Sequence, residues 1–287
     1  MDSLTRYFNA MVKTEPFKVI DLFAGPGGLG EGFSSLLNSS NQRAFKIALS
    51  IEKDTEAHKT LELRSFFRHF PAGCAPEEYY AYLKKEISKE DLFAKYSKYA
   101  MAAKEEAWCA ELGKVPQDDV TKKINGVLGG VKKWALIGGP PCQAYSLVGR
   151  SRMRGQNPDG FEKDHRHFLY KEYLKIIAEH QPPVFVMENV KGILSSTIDG
   201  GKVFTQILKD LRAPAQAFSR NAHFAECARY RIYSLVVSVD GTSHTNGSDY
   251  VIRSENFGIP QARHRVILLG VREELNAEYH LLRNDQL

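Results

Sequence analysis

The chain has 287 residues, enough for one large hydrophobic core or one core with a small appendage. Its 43% hydrophobic and 25% charged residues are those of an ordinary globular protein, and apolar runs such as VILLGV are too short to span a bilayer as helices. The net charge of +5 suits a polyanion without requiring one, while four scattered cysteines (Cys74, Cys109, Cys142, Cys227) argue against a disulfide framework or zinc centre and for a reduced, cytoplasmic setting.

Short β-branched runs alternate with helical stretches, which predicts an α/β fold with a mostly parallel sheet covered by helices. Residues 1–16 read as an N-terminal extension. FKVIDLF (Phe17–Phe23) is the first strand, and AGPGGLGEGF then turns into a helix running to about Leu37. FKIALSIE (Phe45–Glu52) is the second strand, with a helix from Asp54. Pro76–Leu112, rich in Ala, Lys, Glu and Tyr, breaks the rhythm and reads as two inserted helices without a strand, a solvated excursion rather than a docking surface. Further strands are expected at Trp134–Gly139, Pro183–Asn189, Ile232–Val239 and Arg265–Val271. Asp164–His180 has helical spacing, with Phe168, Tyr173, Ile176 and Ile177 on one face, and Ser238–Tyr250 reads as a turn-rich loop.

Three constellations carry chemistry. In DLFAGPGGLG a strand ending in an acidic residue enters a glycine loop, whose backbone N–H groups and following helix can approach a ligand closely. The spacing of Gly25, Gly27, Gly28 and Gly30 is not that of the dinucleotide fingerprint, and a plain tight turn is the competing reading. Glu52 ends the second strand, placed to accept hydrogen bonds from a ribose; with no Lys or Arg in the loop, an adenosine-containing ligand without a phosphate clamp is favoured. In LIGGPPCQAYSLVGRSRMRG, Cys142 follows an apolar strand and two prolines at the same carboxyl edge of the sheet. Pro140 and Pro141 stiffen its approach, and Arg150, Arg152 and Arg154 could neutralise phosphates or form a solvated basic turn. In PVFVMENV, Glu188 and Asn189 end another apolar strand; apolar neighbours would favour a protonated Glu188, a usable acid near neutrality.

DLFAGPGG, GGPPCQAYS, FVMENVKG and IPQARHR occur in that order and together resemble the signature blocks of DNA cytosine-5 methyltransferases, from about Phe17 to Arg272. The resemblance implies a Rossmann-like methyltransferase fold, S-adenosylmethionine as cofactor and DNA as substrate. The thiolate of Cys142 adds to carbon 6 of cytosine while Glu188 donates a proton to ring nitrogen 3. Carbon 5 then attacks the methyl group, and loss of its proton expels the cysteine. Arg265 matches the residue that hydrogen-bonds the base's carbonyl, with Arg263 and Gln261 orienting the site. Phe23, Ala24, Gly25, Gly27, Gly28 and Leu29 match the loop that contacts the cofactor, Glu52 its ribose, Asp119 its adenine amine, and Pro140 and Leu169 pack against it. The target base must leave the duplex, and the loop carrying Gln143, Ser146, Arg150, Arg152 and Arg154 would close over it and grip the backbone.

Family members continue with a target-recognition region and two further blocks that are absent from this chain. Residues 273–287 are expected to be a tail, with the chain from Gly270 leaving the catalytic body and a second polypeptide or missing segment completing the site. Transfer to RNA cytosine and a non-catalytic binding module are the competing functions; restriction–modification and epigenetic marking are both open as settings.

Overall fold

The computed structural model describes residues 15–71, 73–141, 166–198, 201–218, 228–238, 246–275 and 281–282. β1 (Phe17–Leu22) enters the glycine loop, α1 (Gly28–Ser35) follows, and β2 (Phe45–Glu52) lies parallel to β1. Asp54 caps α2 (Thr55–Arg68), its carboxylate accepting from the N–H groups of Glu56 at 3.0 Å and Ala57 at 2.8 Å. The interrupting segment holds three helices, α3 (Glu77–Leu83), α4 (Lys89–Lys95) and α5 (Ser97–Glu106), and then a strand, β3 (Ala107–Cys109). Both points correct the sequence expectation of two helices and no strand: three residues are too few to show alternation, and β3 exists because Ser50–Glu52 offer it a parallel ladder. Nor is the insertion merely solvated, since Leu92, Phe93, Ala100 and Ala103 bury a second core against Phe66 and Phe70.

α6 (Gln117–Leu128) leads to β4 (Trp134–Gly138), α7 (Arg166–His180) to β5 (Val184–Val190). A small hairpin, β6 (Thr197–Ile198) and β7 (Gly201–Lys202), precedes α8 (Val203–Arg212). β8 (Tyr230–Tyr233), β9 (Val251–Arg253) and β10 (His264–Arg272) finish the main sheet. The order is β3-β2-β1-β4-β5-β10-β8, with β9 also on β10. The pairs from β3 to β5 are parallel, whereas β10 runs antiparallel to β5, β8 and β9.

β8 stops well short of the expected Val239. Ser234 explains the stop: its hydroxyl accepts from the N–H groups of Val236 and Val237, both at 3.1 Å, and donates to the Asp249 carbonyl, so the backbone turns. The chain does not leave the body at Gly270 either. β10 continues through Arg272, and the Leu282 N–H bonds the Leu235 carbonyl at 2.7 Å.

The sheet's two faces bury different cores. On one face Ile20, Leu22, Leu49, Leu136, Phe185 and Leu268 pack with α6, α7 and α8; on the other Val19, Ile47, Ala135 and Ile137 pack with Leu29 and Phe33 of α1. Lys18 donates to the last carbonyls of α6, Val127 at 2.9 Å and Leu128 at 3.0 Å, pinning that helix end to β1. The topology turns the carboxyl ends of β1, β2, β4 and β5 to one edge, where ligands of such sheets bind.

Candidate active site

The glycine loop is built on left-handed backbone. Phe23 (φ 56°), Gly25 (φ 56°) and Gly27 (φ 89°) all take conformations that L side chains rarely adopt. At Phe23 that strain is carried by a non-glycine residue, which places its ring on the wall of a cavity. Gly27 has a second reason to lack a side chain, because a Cβ there would lie 2.9 Å from Leu61 Cδ1. Added carbons at Gly25 and Gly28 would meet nothing within 4 Å, so the loop faces open space on that side.

The cavity, about 100 Å³, is lined by Phe23, Ile51, Glu52, Leu112, Pro141 and Leu169 among others. Glu52 Oε2 accepts from the Gly25 N–H at 2.7 Å and Oε1 from the Asp54 N–H at 2.7 Å, which holds the carboxylate at the mouth. Each oxygen keeps a lone pair, enough to accept two hydroxyls of a sugar. The Ala24 N–H bonds the Ile51 carbonyl at 3.0 Å and the Ala110 N–H bonds the Glu52 carbonyl at 3.0 Å, tying the loop and β3 to the end of β2. An aromatic ring, an apolar floor and the Glu52 carboxylate, with the Lys53 ammonium on the same wall paired to Glu111 at 3.4 Å, fit an uncharged nucleoside portion.

Of the expected cofactor residues, Phe23, Glu52 and Leu169 line this cavity, while Asp119, Leu29 and Pro140, like Ala24, Gly25, Gly27 and Gly28, are not among its lining residues. Asp119 is exposed in the first turn of α6 and does not line the cavity; the carboxylate at this edge is Glu111, directly after β3. The unforeseen strand explains the shift, since it delivers Ala110–Leu112 to the rim. Leu29 packs against the core on the α1 face rather than into the cavity. Pro140 is buried, and Pro141 is the proline on the wall; the Pro140 carbonyl instead accepts from Asn189 Nδ2 at 3.1 Å. Asn189 thereby fixes the entry to the segment that leads to Cys142, a role its position at a strand end beside Glu188 hinted at. Cys142, Gln143, Ser146, Arg150, Arg152 and Arg154 lie outside the described residues, as does Cys227.

Glu188 does not stand among apolar neighbours. Its Oε1 lies 2.7 Å from Arg265 Nε, and each side chain is 26% exposed. Register makes this pair: Glu188 stands opposite Ile267 and Arg265 opposite Val190, so the two are diagonal neighbours on one sheet face. Glu188 Oε2 would lie 2.9 Å from a Cβ on Gly139, so the glycine before the two prolines lets the carboxyl approach the chain that carries Cys142. Arg265 Nη1 donates to the His264 carbonyl at 2.8 Å. Arg263 and Gln261 are exposed; the Arg263 carbonyl accepts from Ser254 N at 3.1 Å and Oγ at 2.9 Å, which folds their loop back on itself.

Asp21 lies beneath the loop, fully enclosed. Burial pushes its carboxyl up to about 7, Arg68 draws it back and Glu52 adds to the rise. The Gly30 N–H faces it without reaching hydrogen-bonding geometry, and neither carboxyl oxygen has a hydrogen-bond partner among the described residues.

Residues 85–215 match the sequence model of C-5 cytosine-specific DNA methylases. The chain is 34% identical over 278 residues to the type II methyltransferase M.Bpa9945I of Bacillus paralicheniformis, covering 91% of this chain and 55% of the relative. It is 30% identical over 174 residues to the DNA (cytosine-5-)-methyltransferase M.ApeKI of Aeropyrum pernix, covering 58% of this chain and 33% of the relative. A solved prophage-encoded E. coli protein assigned as a DNA modification methyltransferase has a similar fold, with a TM-score of 0.51 at 19% identity over 92% of this chain and 49% of that one. The fold is accordingly the Rossmann-like fold of methyltransferases. The chain spans about half the length of the curated relatives it matches over most of its own length.

Proposed function

We propose that this chain, which carries a C-5 cytosine-specific DNA methylase domain over residues 85–215, transfers a methyl group from S-adenosylmethionine to carbon 5 of a cytosine flipped out of DNA. The observation that carries the reading is the Glu188–Arg265 pair, 2.7 Å apart, beside Gly139 and at the same sheet edge as the cavity under the glycine loop. Phe23, Glu52 and Leu169 would hold the cofactor, whose sulfonium supplies an electrophilic methyl group.

The protein's own work is to make carbon 5 nucleophilic. Cys142, three residues past Gly139, adds as thiolate to carbon 6, and the ring's electrons move toward nitrogen 3. Glu188 supplies the proton there, and Arg265 holds both that carboxyl and the base's carbonyl. After methylation the proton on carbon 5 is lost to solvent, the proton on nitrogen 3 returns to Glu188, the 5,6 double bond re-forms and Cys142 departs as thiolate. Asn189 keeps the turn before Cys142 in place through the Pro140 carbonyl. Matched relatives hold about as much chain again, so we infer that a further segment or a second polypeptide reads the base edges.

A duplex containing 5-fluorocytosine tests the reading, because fluorine cannot leave as the proton does. With S-adenosylmethionine, and with the remaining half supplied in trans where needed, a covalent protein–DNA adduct should accumulate. Cys142→Ser should form none while binding the cofactor as before. An adduct of undiminished yield in Cys142→Ser would reject the nucleophile, and cofactor and DNA binding without any adduct in the wild type would reject the enzyme.

A further inference from the structure

A buried guanidinium links the helical insertion to the first turn of α1, directly after the glycine loop. Arg68, at the end of α2, has a side chain only 6% exposed. Its Nη1 pairs with Glu31 in the first turn of α1, directly after the loop. Its Nη2 donates at 2.6 Å to Oε1 of Glu106, itself 8% exposed, the last residue of α5 and the one before β3. One turn earlier on the same helix face, Arg64 Nη1 donates to the Pro26 carbonyl within the loop at 2.9 Å. Leu61, another turn back, stands under Gly27.

The insertion in turn fixes α2. Phe66 stacks on Phe93 of α4 with ring centroids 4.8 Å apart, Glu62 pairs with Lys89, and Ala100 and Ala103 of α5 close the small core. Without these contacts α2 would keep only its packing on β2 and β3 and its bonds to the loop and α1 among the described residues. The loop needs such support, because left-handed Phe23 stores strain and Glu52, its other tether, would also serve a ligand.

We propose that Arg64 and Arg68 are positioning residues for the cofactor loop, and that the insertion acts on the site by presenting Glu106 to Arg68. This rests on reading the cavity as the S-adenosylmethionine site. A guanidinium can bridge two carboxylates at once and an ammonium cannot do so with this span, so Arg68→Lys is expected to fail. Glu106→Gln keeps an acceptor for Nη2 and is expected to work; Glu106→Leu removes it.

The experiment is calorimetric titration of the full chain with S-adenosylmethionine, at a temperature where each variant is folded by circular dichroism, together with amide hydrogen exchange over Phe23–Ser35. Arg68→Lys and Glu106→Leu should raise Kd about tenfold and speed exchange in the loop about tenfold, while Glu106→Gln stays within twofold on both. If either buried variant does not fold, Arg64→Met takes its place, with Kd raised several-fold and faster exchange confined to Ala24–Gly28. Unchanged exchange and Kd in the folded variants overturn the proposal. A wild-type chain that binds no S-adenosylmethionine overturns the functional reading instead, and the exchange rates alone then decide whether these residues hold the loop.

Discussion

The parallel and antiparallel halves of the sheet hold their functional groups in opposite ways. In the parallel half, the glycine loop is backed by Arg64 and Arg68 of α2, and α2 in turn by the inserted core. In the antiparallel half, Glu188 and Arg265 are fixed by little more than strand register and each other, and each remains a quarter exposed. A ligand site that must stay shaped is backed by many buried contacts. On the proposed function, the pair that meets the base is left one ion pair deep.

That contrast breaks most visibly at Glu188. Glu188→Gln keeps the shape and can still accept from Arg265, yet it has no acidic proton to give. Methyl transfer to a cytosine-containing duplex should fall by about 10²–10⁴-fold, the scale of losing a general acid. Cofactor affinity should stay within twofold, since the cavity belongs to the other half. A comparable loss in cofactor affinity would mean that the halves are not separable.

Asp21 sharpens the comparison through pH. Its folded carboxyl titrates near 7, against an ordinary 3.8, so between those values the folded chain keeps a proton that the unfolded chain releases. Stability is therefore lost as pH rises through this window, and the full cost of an enclosed carboxylate is felt above pH 7. Asp21→Asn removes the titration. Relative to wild type it should gain roughly 2–4 kcal/mol at pH 8 and little at pH 4, the scale of a shift of about three pKa units. Urea unfolding at the two pH values measures it, and a difference independent of pH would show that Asp21 is not what titrates.

Legibility followed the sheet's local grammar. The first two strands, the glycine loop, Glu52 and the position of Glu188 could be read because each strand is an apolar run with a polar residue at the end, and topology sends those ends to one edge, whereas Arg265 came only from the resemblance. What could not be read depends on partners distant in sequence. β3 is three residues long and exists through Ser50–Glu52; the bridge from Arg68 to Glu106 joins residues 38 apart. Asp119 is not among the residues lining the cavity, whereas the strand before it brings Glu111 to that wall. Glu188 was expected in an apolar setting because its own strand is apolar; the guanidinium beside it comes from β10, which no local pattern ties to β5.

Two glycine substitutions extend the contrast to stability. Gly270 in β10 stands opposite Phe185, and an added Cβ would lie 2.1–2.6 Å from three atoms of that ring. The ring cannot retreat, being fully buried with Tyr230 at 5.1 Å and Tyr173 at 6.4 Å between centroids. Gly270→Ala should therefore cost about 1–3 kcal/mol through overpacking. Gly32 lies exposed within α1, and a Cβ there meets nothing within 4 Å. Gly32→Ala should instead gain roughly 0.5–1 kcal/mol, because the unfolded chain loses backbone freedom while the helix stays unstrained. Denaturant midpoints at unchanged slope measure both. A loss at Gly32 would mean that the open side of α1 is occupied by protein in the folded chain.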